Sequence, residues 1–480
     1  MKLPNFSGPA YESQSLIVAG ERCINLYPEV VETPSGKNRM ALYPCPGLSA
    51  FATLTDTPGR GLFGEDERLF AVGGATLFQI TSAGVVTNRG AVAVNANPAT
   101  LSVNGDGGDE LFLTSGGSGY ILDLLTNVLT LEADAGVVTM AGQLDGFFVA
   151  LDATTSTMKI SELLDGKTWD PLQSVQRTAA SDPWEAMLIS RREIFLFGEK
   201  TGEVWYNSGA SPFPFEQRLG AFFEIGILAP FSIARLGHTM AWLGRSAQGS
   251  GIVYWMNGYT PNRISNHAVE WAIRNYIADG GVSNAIGWSY ESQGHSFYVL
   301  TFPTQARTWV YDSTTNSWHE RGKWSPISND FIAYRPMFHA QMFDRNLVCD
   351  SQGSTVYALS STVYVDSDSE VLRRVRRLPH LSQENKRLFF HSFELEAERG
   401  VGLVSGQGSD PVVVLRTSND GGQTWGSDRE RDVGPIGRYD QRIRWDGCGS
   451  GRDRVWEIWS SDPVPTRWFD AYVGVEVGSA

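Results

Sequence analysis

From position 60 onward the chain is built of short apolar runs, each closed by Gly, Asn, Asp or Ser. RGLFGE, RLFAVGG, ATLFQIT and GVVTNRG follow one another, and the cycle restarts with ATLSVNG, ELFLTSG, GYILDLL and NVLTLEA. Later cycles run VVTMAGQLDG, FFVALDA, TMKISEL and KTWDPL, then EAMLISR, EIFLFGE, GEVWYNS and FEQRLG, and on through HSFYVLTF and STVYALS. Runs of this length, rich in β-branched and aromatic residues and bounded by turn formers, are strands. Four strands per cycle at a period of roughly 40–50 residues is the spacing of propeller blades. A lone four-stranded sheet leaves a face wet, whereas blades set around an axis cover each other's faces and leave only short edges. The pattern predicts an all-β fold with a β-propeller of about seven four-stranded blades over residues 51–378, and six or eight blades also fit the spacing. A set of β-sandwiches is the competing architecture.

Three stretches depart from the pattern. Residues 267–281, HAVEWAIRNYIADGG, put Val269, Ala272, Ile273, Tyr276 and Ile277 on one helical face. With Asn266 as cap and Gly280-Gly281 as stop, they predict one helix interrupting a blade. Residues 1–50 are proline-rich and lack alternation, and read as an N-terminal extended arm or wrap-around segment. Residues 379–480 hold RLFFHSFELEAE, PVVVLRTSNDG, DRVWEIWSS and FDAYVGVEVG, with clear alternation over 389–396. They predict an antiparallel C-terminal β unit with one wet face, either a separate domain or the closing blade.

Composition narrows the class. Aromatic residues make up 11% of the 480 and charged residues only 19%, below the usual quarter, which excludes a disordered chain or a coiled coil. Lys and Arg number 39 against 53 Asp and Glu, for a net charge of −14, opposite in sign to a general nucleic-acid binder. Cys23, Cys45, Cys349 and Cys448 lie far apart with no CxxC pair, so neither a zinc site nor a disulfide framework is expected. The start has no apolar signal core and the apolar runs are strand-length, so no secretory signal or membrane-spanning segment is expected. Synthesis in a cytoplasm follows as an expectation.

Several motifs have two readings. SNDGGQTW matches S-x-D-x-G-x-T-W at Ser418, Asp420, Gly422, Thr424 and Trp425, and resembles the Asp-box of sialidase-like propellers. Its chemistry is structural: the Ser and Asp side chains hydrogen-bond turn amides, Gly422 takes a positive φ, and Trp425 packs beneath the turn. One complete box, echoed in part at 166–170 and at Thr308-Trp309, does not make a glycosidase. Gly166-Lys167-Thr168 looks like the end of a phosphate loop, but Ser161 stands where its first glycine belongs, and a hairpin turn fits better. NGDGGDE at 104–110 and DSDSE at 366–370 bring acidic groups close together without an EF-hand register, so a solvated polar turn outweighs a calcium site. Arg373, Arg374, Arg376 and Arg377 form the dense basic cluster of an acidic chain. They either contact phosphate or an acidic partner, or pair with local carboxylates in an interdomain strand. Seven scattered histidines, without HExxH or G-x-S-x-G, support no catalytic site. Trp205, Trp255, Trp309 and Trp318 read as blade core before they read as a sugar platform. No catalytic residue, cofactor or metal ligand is assigned.

The ends of the chain carry a more distinctive text. FSGPAYESQS (6–15), GERCINLYPEV (20–30) and ALYPCPGL (41–48) include Tyr11, Glu21, Arg22, Asn25, Leu26, Tyr27 and Pro28. With DRVWEIWSSDPVP (453–465) and AYVGVEV (471–477), they resemble the packaged-DNA-stabilisation family of short-tailed bacteriophages, also called tail hub or nozzle proteins. The resemblance implies a non-enzymatic virion tail protein. Such a protein forms a homohexameric ring below the portal-adaptor (head-to-tail connector), retains packaged double-stranded DNA, forms the ejection conduit, and supports a tail needle and tailspikes or fibres. An acidic conduit would let DNA slide without sequence-specific contact, because phosphate contacts are what make DNA adhere. The arm would clamp a neighbour by adding to a sheet edge. The alternatives are a carbohydrate-binding or sialidase-like glycan-degrading propeller and a monomeric scaffold for host partners.

Overall fold

A computed structural model describes residues 1–33, 40–247, 249–367 and 370–478. The chain is 3% helical and 53% strand, so it is all-β. Among the described residues, seven sheets follow one another as blades. The first is Gly59–Glu65, Arg68–Gly73, Thr76–Ile80 and Val86–Ala91. The second starts at Thr100–Val103, the third at Met140–Leu144 and the fourth at Trp184–Ser190. The fifth has a broken inner edge, where Gly226–Ile227 and Ala234–Leu236 both pair with Thr239–Ser246. The sixth starts at Ile286–Ser292, after the helix His267–Ala278, which the Asn266 side chain caps by accepting from the Val269 amide at 2.9 Å. The seventh is Pro336–Met342, Arg345–Asp350 and Thr355–Ser360, and its outer strand is Gly47–Thr53 from the start of the chain.

Side-chain alternation explains why central blade strands read as unbroken apolar runs. Along Arg68–Gly73, Leu69 and Ala71 pack with Leu347 and Val356 of the seventh blade, while Phe70 and Val72 pack with Leu111 and Leu113 of the second. Both faces are covered, so both alternating sets are apolar. In the second blade, Phe112 turns the other way and meets Phe148 of the third at a ring distance of 5.3 Å.

The C-terminal unit is a β-sandwich. One sheet runs in the order Leu26–Val30, Met40–Pro44, Trp468–Val477, Leu388–Ala397, Ile443–Asp446. The other contains Gly20–Ile24, Arg374–Arg377, Asp453–Ser460, Val412–Ser418 and Arg429–Asp432. Phe393 of the first sheet meets Trp456 of the second at 4.9 Å, both fully buried. Gly20–Ile24 also bridges in parallel to Ser317–Arg321 of the sixth blade, through Ile24 and Glu320. Eleven strands therefore form one continuous sheet from the sixth blade into the sandwich.

Three expectations are corrected or narrowed. The helix His267–Ala278 does not interrupt a blade: it joins the completed fifth blade to the sixth. Among the described residues of 1–50, the wrap-around reading holds and the projecting arm does not: their strands enter both sheets of the sandwich and close the seventh blade of their own chain. Proline and missing alternation described an extended backbone correctly but said nothing of its partners, which lie hundreds of positions away. Of the two readings of residues 379–480, the separate domain holds and the closing blade does not, because Gly47–Thr53 fills that place.

Candidate functional site at the seam between propeller and sandwich

The strand Arg374–Arg377 lies between Gly20–Ile24 and Asp453–Ser460, so its side chains enter the junction of the two lobes. Arg374 and Arg376 are fully buried. Arg376 donates from Nε to the Phe6 carbonyl at 2.8 Å and from Nη2 to the Asn5 carbonyl at 2.9 Å. Its Nη1 donates to the carbonyls of Pro9 at 3.1 Å and Arg22 at 3.3 Å, and Glu21 lies 3.4 Å from Nη2. A guanidinium offers five donors in a rigid fork, and here they grip one irregular loop. Arg374 holds the Asp462 and Tyr364 carbonyls at 2.9 and 3.0 Å, and burial pushes its pKa down to about 10. These two arginines are structural ties within the chain.

The N-terminal residues are held in the same way. The Met1 amino group donates to the Val473 carbonyl at 2.8 Å, the Leu3 amide to that of Ala471 at 2.9 Å, and Lys2 pairs with Asp470. Tyr11 pairs in backbone register with Glu21. Arg22 meets Glu320 with two donors at 2.9 and 2.6 Å. Asn25 takes φ 55°, a conformation Asn tolerates better than most residues. Its side chain donates to the Gly322 and Arg373 carbonyls at 2.8 Å each, and accepts from the Gly322 amide at 3.1 Å. Leu26 is buried, and Pro28 faces Leu42 within the first sandwich sheet. Tyr27 donates to the Gln293 side chain at 2.9 Å and lays its ring edge against His295 at 5.1 Å.

His295 was not singled out in the sequence. Its Nδ1 lies 2.7 Å from Asp312 and its Nε2 2.9 Å from Glu29, tying the first sandwich sheet to the sixth blade. The Asp312 hydrogen bond outweighs burial and raises its pKa to about 8. His319 nearby is driven the other way, down to about 3, by burial.

The remaining basic groups face a cleft of about 270 Å³ between the lobes. Arg377 donates to Glu457 at 2.8 Å and lies 3.7 Å from Glu12, and Arg416 donates to the other oxygen of Glu457 at 2.7 Å. Burial works to raise the Glu457 pKa, but these two arginines prevail and hold it below the usual carboxylate range. Arg373 lies 3.8 Å from the ring centre of Trp324 and 3.7 Å from that of Trp459. Arg416, Trp324 and Trp459 were missed in the sequence because each stands alone in its own strand and only the pairing collects them.

The Asp-box forms the turn that its spacing describes. Ser418 accepts from the Gly422 amide at 2.8 Å, and Asp420 accepts from the amides of Gln423 at 3.0 Å and Thr424 at 2.9 Å. Gly422 has φ 92°. Trp425 is only half-buried, with Arg377 and Arg416 over its ring at 4.9 and 4.8 Å, so it joins the cleft instead of the core beneath the turn. The phosphate-loop echo is also a turn: Lys167 points to Asp123 at 3.1 Å and Glu110 at 3.3 Å. Asn104 bonds Glu110 across the 104–110 loop at 3.1 Å. Positions 368 and 369 of the second acidic motif lie outside the described residues. Among the described residues, no three His, Cys, Asp or Glu side chains are grouped to hold a metal, and no helix is long and apolar enough to cross a membrane. The propeller axis holds a cavity of about 650 Å³ walled by Met140, Met187, Phe231, Trp288 and Met337.

Residues 1–364 match the family model described as bacteriophage P22 Gp10, beta-propeller, and residues 373–476 match the one described as bacteriophage P22 Gp10, beta-sandwich. Comparison with curated proteins finds no match. Among solved structures, the N-terminal domain of Nup159 aligns at 10% identity and a TM-score of 0.39, covering 71% of this chain and 99% of that one. Streptogramin B lyase aligns at 10% identity and 0.40, covering 65% and 97%. At these scores neither likeness carries an argument. With the propeller model and the sandwich model met in order along one chain, this protein belongs to the bacteriophage P22 Gp10 family of phage tail structural proteins.

Proposed function

We propose that copies of this chain form a closed sixfold ring in the phage tail, below the portal-adaptor. In this role the ring retains packaged DNA, provides the conduit for its ejection, and supports the tail needle and tailspikes or fibres. The observation that carries the reading is the match of both family models, which together take in nearly the whole chain. A closed ring needs two different complementary faces on each subunit. In this reading the propeller's own axis is not the conduit: its cavity of about 650 Å³, lined by polar side chains such as Gln143, Arg235 and His339 as well as by Met140, Met187 and Met337, is too small for a duplex. A duplex has a major groove alone about 12 Å wide. The conduit therefore runs between copies, where a chain of net charge −14 lets phosphate pass without adhering. In this role the chain is a scaffold and not an enzyme, made in the host cytoplasm and assembled onto the tail.

Deleting residues 1–50 would not test this reading, because it cuts through the outer strand of the seventh blade, Gly47–Thr53, and removes a shared strand of the seam. The test is a phage unable to make this chain, with mass measurement of normal tails. The expected result is six copies per normal tail, and capsids that package DNA but leak it when the chain is missing. Stable DNA retention without the chain, or its absence from the tail, would overturn the reading.

A further inference from the structure

The cleft between the lobes has more guanidinium groups than local carboxylates to serve them. Arg22 is taken up by Glu320. Arg377 and Arg416 share the single carboxylate of Glu457, with Glu12 at 3.7 Å from Arg377. Asp330, on the cleft wall, is engaged by Arg307 at 2.7 Å. Among the described residues Arg373 has no carboxylate within 4 Å and no side-chain hydrogen bond, and its Nε is buried without a partner. Glu457 and Asp428 act on it only at longer range, and the nearby Arg416 repels it.

The way Arg373 is held makes this deficit informative. The Arg373 Cζ lies over two indoles, 3.8 Å from the ring centre of Trp324 and 3.7 Å from that of Trp459. Stacking uses the faces of the group and leaves its N–H edge free for in-plane hydrogen bonds. The planar fork is thus fixed in orientation before any ligand arrives, which lowers the entropy cost of binding. Arg377 and Arg416 are fixed beside it by Glu457 and by the ring of Trp425. Three immobilised guanidiniums around a space of about 270 Å³ suit a small tetrahedral or planar oxyanion, because charge-assisted bonds to Arg are the strong ones. The cleft is far too small for a duplex.

We propose that this cleft is a binding site for a small phosphate, held by Arg373 together with Arg377 and Arg416. The site needs no metal and does not depend on the ring reading. Its occupant is either free inorganic phosphate or the phosphate of a small monoester, and bound anion would brace the seam by balancing the unpaired charge.

The experiment is calorimetric titration of the full chain with inorganic phosphate and, separately, with a nucleoside monophosphate, at constant ionic strength set with chloride. Saturable binding at one site per chain is expected for phosphate. Equal affinity for the monophosphate points to a monoester source, and its exclusion points to the free ion. Arg373→Gln should weaken binding about tenfold or more, the effect of losing one charge-assisted hydrogen bond. Arg416→Gln should do the same with Arg373 left in place, which covers the case in which the first variant misfolds. Arg452→Gln, on an exposed loop away from the cleft, should bind like the parent protein. No saturable heat from the parent protein at millimolar phosphate overturns the proposal, as does unchanged affinity in both cleft variants.

Discussion

The interfaces between blades and the seam between propeller and sandwich bury comparable side chains by opposite chemistry. Between blades, Leu69, Ala71, Phe70 and Val72 meet apolar neighbours on both sides, and no polar partner has to be found. At the seam, Arg374, Arg376, Glu457 and His295 are buried, and each is answered by named carbonyls, carboxylates or guanidiniums. An apolar interface tolerates substitution of similar volume. A buried charged interface does not, since removing one partner strands the other in a poor solvent. The propeller is thus the forgiving part of the molecule and the seam the specific part. The first 25 residues, gripped by Arg376 and Asn25, decide how the two lobes are joined.

The largest effects should separate the two regions by phenotype more than by size. Arg376→Ala removes the fork that serves four backbone carbonyls and should cost about 3–5 kcal/mol in urea unfolding, the range for breaking a buried charged contact. Phe112→Ala, in the core between the second and third blades, should cost a similar 3–5 kcal/mol from lost packing and the cavity left behind. Only Arg376→Ala should expose the first 20 or so residues to limited proteolysis under native conditions. Equal protection of that segment in both variants would erase the distinction drawn above.

The two regions also differ in how far the sequence disclosed them. Blade strands were readable because their signal is local: a run such as ELFLTS carries its own alternation and its own turns. The helix His267–Ala278 and the Asp-box turn were readable for the same reason, each closing its hydrogen bonds within a few residues. The seam is non-local. Leu3 bonds to Ala471, Arg376 to Asn5, and Trp324 and Trp459 meet only around Arg373. No periodicity records such pairings. A cluster of four arginines on an acidic chain leaves a partner contact and an interdomain strand both open, because the carbonyls and carboxylates that answer buried arginines lie far off in sequence. The structure divides that cluster into three guanidiniums tied by hydrogen bonds and one, Arg373, without any among the described residues.

A rise in pH above neutrality tests the seam through His295. The folded pKa of His295, about 8, lies above its unfolded value near 6.5, so its contribution is fully present below that value and is lost as pH rises through 8. The difference corresponds to about 2 kcal/mol. Asp366, pushed up to about 7 by burial, adds a loss in the same direction at the lower edge of that window, while His319 stays neutral throughout it. Stability measured by denaturant should therefore fall as pH rises from about 6.5 to 8, and His295→Gln should flatten that slope. On the acid side of 6.5, His319 and His339, which burial lowers to about 3 and 4, act in the opposite direction. A parent profile as flat as the variant's would remove His295 from the joint.

Trp425→Ala probes the edge of the seam. Were the ring packed in the core, its loss would cost as much as Phe112→Ala. Half-buried and held by Arg377 and Arg416, it should cost only about 1–2 kcal/mol, the worth of two partly exposed cation–π contacts. A loss as large as that of Phe112→Ala would show that the box anchors the sandwich core after all.

Ser418→Ala is the smallest and most local change. The Ser418 hydroxyl is buried; it accepts from the Gly422 amide at 2.8 Å and donates to Asp420 at 2.6 Å. Its removal leaves the turn amides of Asp420 and Gly422 without this acceptor, for a cost of about 1 kcal/mol. Asp420 keeps the amides of Gln423 and Thr424, so the turn should persist. The readout is hydrogen exchange: the Gly422 amide should exchange faster, while those of Leu113 and Ile121 in the second blade stay unchanged. Faster exchange in the blade as well would mean that the Asp-box is coupled to the propeller through the seam, and the division between a forgiving ring and a specific joint would have to be redrawn.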